Sequence, residues 1–160
     1  MLTDTVCRVW VPGDARPEAK RQRFNKKRDG TWVPGARTDE PDRKDWKAWV
    51  GACWRQQYTD PMTGPLCLSL TFVRQSPAST PKKPTPKNPW PWAWTKKPDT
   101  DNLCKPVKDA LTRAGAWEDD AQVIVELVQK VQGPNLKPGV LIEVWLANPP
   151  DIPGEAFPVL

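Results

Sequence analysis

The chain alternates between segments of period two, segments of helical period and one long stretch with neither. Residues 5–11 (TVCRVWV) and 66–73 (LCLSLTFV) alternate on at least one face, which predicts two β-strands. Between them Trp46, Trp49, Val50, Cys53 and Trp54 recur at i, i+3, i+4, i+7 and i+8, the spacing of one helix face. Asp42 is the expected N-cap of that helix, Asp45 falls in its first turn, and its three tryptophans are expected in the core. A second helix is expected over 103–114 (LCKPVKDALTRA), with Leu103, Val107, Ala110, Leu111 and Ala114 turned inward. Pro106 is placed in its first turn and Gly115 just past its end. Residues 122–130 and 140–146 read as two further strands joined by a turn with Gly133, Pro134, Pro138 and Gly139. This order predicts a small α/β or α+β domain, a mixed sheet flanked by helices, over residues 1–148. The last twelve residues, 149–160, contain four prolines and are expected to be an irregular tail.

The stretch with neither period is 74–98. It holds seven prolines, six basic residues and Trp90, Trp92 and Trp94, with no acid. So much proline is incompatible with a central strand or a helix interior, so a long, partly extended loop is predicted. Two readings of its tryptophans stay open: unpaired bases stacking on indoles while lysines meet phosphates, or indoles packing back onto the body.

Charge sharpens the nucleic-acid reading. The net charge is +5, but it divides into +4 over 1–60, +6 over 61–98 and −5 over 99–160. A cation-rich front suits a polyanion, and an acid cluster that faces a polyanion requires a cation to neutralise it. Residues 12–35 form a basic loop or hairpin with Arg16, Lys20, Arg21, Arg23, Lys26 and Lys27; with Lys82, Lys83, Lys87, Lys96 and Lys97 these are the candidate DNA contacts.

The four cysteines are isolated and there is no histidine, so zinc-type spacing is absent and no imidazole can act as general base. No stretch approaches a membrane span, no organic cofactor is expected, and free thiols fit a reducing cytoplasm. At 160 residues one domain is expected.

The acids themselves are patterned. Asp99 and Asp101 (DTDN) stand at the loop-to-helix junction, where a helix N-terminus and a bound cation both favour negative charge, and Glu118, Asp119 and Asp120 follow the same helix. One turn-back of the chain would bring the second group to the first. Hard oxygen ligands without histidine or paired thiolates point to Mg²⁺, with Mn²⁺ as a substitute. Lys105, four residues after Asp101, is placed to offset charge on a phosphate held there. Taken singly, Asp101 could instead be a plain N-cap and Asp119 or Asp120 ordinary turn residues.

The run from Lys97 to Lys130, KPDTDNLCKPVKDALTRAGAWEDDAQVIVELVQK, resembles the signature of the RusA family of Holliday-junction resolvases. The resemblance implies a homodimeric Mg²⁺-dependent endodeoxyribonuclease that resolves four-way junctions by paired symmetric nicks in recombination and repair. Such enzymes are common in phages and prophages and would work in the bacterial cytoplasm. By position, the family's metal-binding aspartates fall on Asp99, Asp101 and Asp120 and its active-site lysine on Lys105, with Asp119 left open. The 74–98 loop is longer and richer in tryptophan than the family leads one to expect. A general branched-DNA or flap nuclease, or a non-catalytic branched- or single-stranded-DNA-binding module, are the alternatives; the second has no need of positioned acids.

Overall fold

The computed structural model describes residues 6–18, 24–34 and 41–148, with backbone alone at 24–26, 32–34 and 41–43. Along the chain run β1 (Cys7–Pro12), β2 (Phe24–Lys26), β3 (Trp32–Pro34), α1 (Pro41–Arg55), β4 (Leu66–Gln75), α2 (Thr100–Ala114), a 3₁₀ turn (Asp120–Gln122), β5 (Val123–Gly133) and β6 (Gly139–Leu146). The main sheet has the order β1-β6-β4-β5, with β4 and β5 parallel and the other pairs antiparallel, and β2 and β3 form a separate antiparallel hairpin. This is a mixed-sheet α+β fold. The parallel pair follows from the crossover through the long loop and α2, since parallel neighbours cannot be joined by a tight turn.

Both helices cover the same face of the sheet. Leu66, Leu68, Leu70 and Phe72 of β4 share one side with Val9 and Val11 of β1 and Val140, Ile142 and Val144 of β6, and all join a single core with Trp46, Val50, Cys53 and Trp54 of α1 and Leu103, Val107, Ala110 and Leu111 of α2. Period-two strands and helical stripes thus meet in one layer boundary. The four cysteines are free thiols, and among the described residues no helix is long and apolar enough to cross a membrane.

Several boundaries differ from expectation, each for a physical reason. Of the first strand, Thr5 lies outside the described residues and pairing begins at Cys7. Asp42 is not the cap of α1: the helix already includes Pro41, whose fixed φ and missing N–H suit a first helical position. Trp49 is not core. It is 44% exposed, while Trp46 and Trp54 are buried, because its indole N–H donates to the Pro12 carbonyl at 2.9 Å and the ring lies over the end of β1. Strand β4 runs on to Gln75, so Arg74 belongs to the strand; Gly133 ends β5 instead of opening the turn.

The most consequential shift is at α2, which starts at Thr100 rather than Leu103. Pro106 and Lys105 therefore sit in its second turn, and Pro106 deprives the Asn102 carbonyl of its helical donor. The backbone N–H of Glu18 supplies the bond instead, at 2.7 Å. The segment that leads into the basic hairpin is thereby fastened to the first turn of α2, and Lys47 reinforces the junction through Asp109 at 2.7 Å and Glu18 at 3.5 Å. At its other end α2 closes as expected: Gly115 adopts φ 78°, its N–H meets the Thr112 carbonyl at 3.1 Å, and Ala116 N–H meets Leu111 at 3.0 Å.

Candidate active site

Asp99 occupies the cap position of α2 in extended backbone, yet its carboxylate makes no capping hydrogen bond. An aspartate there normally accepts from the first turn. Its side chain is instead 56% exposed with Lys97 Nζ 3.5 Å away, and Asp101 is exposed in the turn that follows. Two hard oxygen donors, neither hydrogen-bonded to the backbone, thus lie two residues apart at a helix N-terminus, a position that suits a divalent cation or an incoming phosphate neutralised by one. Lys105 is exposed one turn further along. With the other described residues, Asp101, Lys105 and Asp120 make no hydrogen bond or ion pair.

The backbone that delivers Asp99 is held by a residue the sequence did not mark. Lys130, at the far end of β5, donates from Nζ to the carbonyls of Pro98 at 2.6 Å and Lys96 at 2.9 Å. It also lies 5.0 Å from the centroid of the buried Trp94 ring, which Arg74 approaches to 4.3 Å. Burial lowers the Lys130 pKa; Asp99 pulls it back up and Arg74 pushes it down. Only the alternation of β5, which leaves a cation at its loop-facing end, hinted at this role. Nearby, burial pushes the Cys104 thiol up to about 12, helped by the Glu126 carboxylate it bonds to and by Asp101, against Lys108. Glu126 is engaged with Lys108 at 3.1 Å.

The second acidic group is not beside the first. Asp119 and Asp120 line a hollow with Asp109, Thr112 and Arg113, at the other end of α2. Those three helix residues lie eight to twelve positions beyond Asp101, a span of roughly 12–18 Å. Within one chain the turn-back therefore does not close on Asp99 and Asp101, and among the described residues no three acidic or thiol side chains group as a metal site.

The structure does separate the two neighbours. Asp119 caps the 3₁₀ turn, accepting from Ala121 N–H at 2.8 Å, whereas Asp120 points no bond into the fold. Gln122 completes this knot: its Oε1 accepts from the N–H groups of Glu118 and Asp119 at 2.9 and 3.2 Å, and its Nε2 donates to the Met62 and Gly64 carbonyls at 3.3 and 3.1 Å. Gln122→Ala orphans four backbone groups and is expected to cost about 2 kcal/mol, measured by urea unfolding; a cost below about 0.5 kcal/mol would show that water replaces the amide.

Of the candidate DNA contacts, Lys27, Lys82, Lys83, Lys87, Lys96 and Lys97 are exposed, as is Arg16, which has a partner. Lys26 lies on β2, while Lys20, Arg21 and Arg23 fall outside the described residues.

Asp99 and Asp101 thus stand at the start of α2 with exposed Lys96, Lys97 and Lys105 around them in sequence, a pattern of acids and cations suited to a phosphate and its counter-ion. The family model for the endodeoxyribonuclease RusA matches residues 12–145, more than four-fifths of the chain. The chain belongs to that family, an endodeoxyribonuclease family that acts on branched DNA junctions. A comparison with curated proteins finds no match.

Proposed function

We propose that the protein is a homodimeric, Mg²⁺-dependent Holliday-junction resolvase of recombination and repair, with Asp99, Asp101 and Asp120 as metal ligands, Lys105 on the scissile phosphate and Mn²⁺ as a substitute ion. The observation that carries this reading is the Asp99 carboxylate that leaves its helix uncapped, two residues before the exposed Asp101, on a RusA-family chain. When bound, the cation supplies an activated water and neutralises charge on the phosphate. The residues do the rest: Lys130 fixes the approach to Asp99, and the basic hairpin and loop hold the DNA backbone across it.

Distance favours two copies per site. Asp120 lies against the second half of α2, away from Asp99 and Asp101 at its start, and β5 is an edge strand whose exposed Ile124 and Leu127 lie along its open part. An exposed apolar strand edge invites pairing. A two-fold axis across β5 near Val125, in the part of the edge that residues 92–94 leave open, would reverse the strand and set Asp120 of the partner subunit opposite Lys130, whose Nζ holds the approach to Asp99. Two such sites related by the axis suit symmetric cuts in a four-way junction.

The test is incubation with a fixed four-way junction and a matched duplex, with Mg²⁺ or EDTA. Paired Mg²⁺-dependent nicks in the junction alone are expected; equal cutting of the duplex means a general nuclease, and tight binding without cuts a binding module. Junction affinity is expected to fall about a thousandfold between roughly 50 and 200 mM salt, since backbone phosphates supply most of it. A salt-insensitive complex would contradict this.

A further inference from the structure

The loop after β4 treats its three tryptophans differently. Trp94 is buried under Arg74 and Lys130, while Trp90 and Trp92 are 64% and 60% exposed, the two most exposed large apolar side chains among the described residues. Their backbone is nevertheless fixed. Trp90 and Ala93 close a turn through a 3.1 Å hydrogen bond, Gln132 N–H donates to the Trp92 carbonyl at 2.9 Å, Gln132 Nε2 donates to Pro91 at 3.0 Å, and Trp94 N–H donates to Lys130 at 3.2 Å. Ala93 and Val131 form an isolated bridge.

Two indoles held out in water on a pinned turn gain nothing for the fold, and exposed aromatic surface of this kind marks a contact. The company they keep selects the occupant. Residues 61–98 carry six cations and no acid, and Lys82, Lys83, Lys87, Lys96 and Lys97 are all exposed, so the surface suits a polyanion. A polyanion that also offers flat π-faces is a nucleic acid with unpaired bases, because stacked bases in a closed duplex cannot reach an indole. The turn is attached to Gln132, two residues along β5 from the lysine that holds the approach to Asp99, a separation of about 7 Å.

We infer that Trp90 and Trp92 form a stacking subsite for bases left unpaired where DNA strands exchange, next to the cleavage site. The inference rests on the proposed nuclease reading for its substrate, but its ligand can be probed without cleavage. The subsite selects structure rather than sequence: every base has a π-face, but only a junction, flap or single strand presents one free.

The experiment uses the full chain in EDTA, with the Trp90→Ala/Trp92→Ala double variant and a Trp90→Phe/Trp92→Phe companion. Binding is measured to oligothymidine, to a four-way junction with 2-aminopurine at the point of exchange, and to a matched duplex. Both side chains lie outside the core, and thermal unfolding checks that the fold is kept. The alanine variant is expected to lose about tenfold or more in affinity for oligothymidine and junction, to lose the 2-aminopurine response, and to bind duplex within about twofold of wild type, while the phenylalanine variant retains most of the affinity. Unchanged oligothymidine and junction binding would overturn the inference, and so would an equal loss on duplex. Failure of the nuclease reading shows separately, as wild-type protein that binds these probes yet leaves the junction uncut in Mg²⁺.

Discussion

Asp101→Asn is expected to lower junction cleavage by at least about a thousandfold, the scale set by losing one ligand of a cation that stabilises several kcal/mol of transition-state charge. Junction affinity should stay at the wild-type level or rise. The substitution is isosteric, the side chain is exposed in the first turn of α2 and makes no bond with other described residues, so the fold has little to lose. Only the helix N-terminus notices the missing charge, a matter of about 0.3–1 kcal/mol. Removing a negative group that faces phosphate helps binding. The contrast is Asp119→Asn, where the amide oxygen can still accept from Ala121 N–H and activity should survive. Nicking of a labelled junction, read beside a mobility-shift titration, checks both; an Asp101→Asn enzyme within tenfold of wild type would remove Asp101 from the site.

The contrast also shows how far a single sequence carries. Strands β4 and β6, the core face of α2 and the closure at Gly115 are written in local periodicity and in one residue's freedom to adopt positive φ, so they can be read residue by residue. Trp49 cannot, because a helical stripe says which residues share a side but not where the neighbouring strand ends, and Pro12 ends β1 just where that indole needs an acceptor. Pro106 misleads for a related reason. A proline inside a helix is tolerated if some other donor takes the freed carbonyl, and the donor here, Glu18, comes from 84 residues away. Lys130 is the same case in reverse: its value lies in two carbonyls of a loop whose path has no periodic signal. Of the candidate site, the placement of Asp99 and Asp101 at the start of α2 was legible, because a two-residue spacing at a helix junction is set locally. The position of Asp120 was not, since sequence adjacency to a helix end does not say which end of the helix the next strand will run beside.

That position gives the second large effect. If Asp120 serves its own chain's Asp99 and Asp101, a heterodimer of Asp101→Asn and Asp120→Asn chains has two damaged sites and cuts nothing. If Asp120 serves the partner subunit, one site of that heterodimer collects both substitutions and the other collects none. Each single-variant homodimer is then inactive, while mixing or co-expressing the two chains restores one intact site per heterodimer. The expected product is a junction nicked on one strand, not resolved, at up to about a quarter of the wild-type number of active sites when chains pair at random, since half of the dimers are mixed and each holds one of two sites. Distance is the reason to expect the second case: the residues that line the Asp120 hollow lie eight to twelve residues along α2 from Asp101, about 12–18 Å of helix, against the roughly 2.0–2.6 Å reach of a hard cation to its ligands. Single nicks from the mixture, absent from either variant alone, are thus the result that ties catalysis to dimerisation, and a mixture as silent as its parts would place all three aspartates of each site in one chain and require α2 to rearrange when DNA binds.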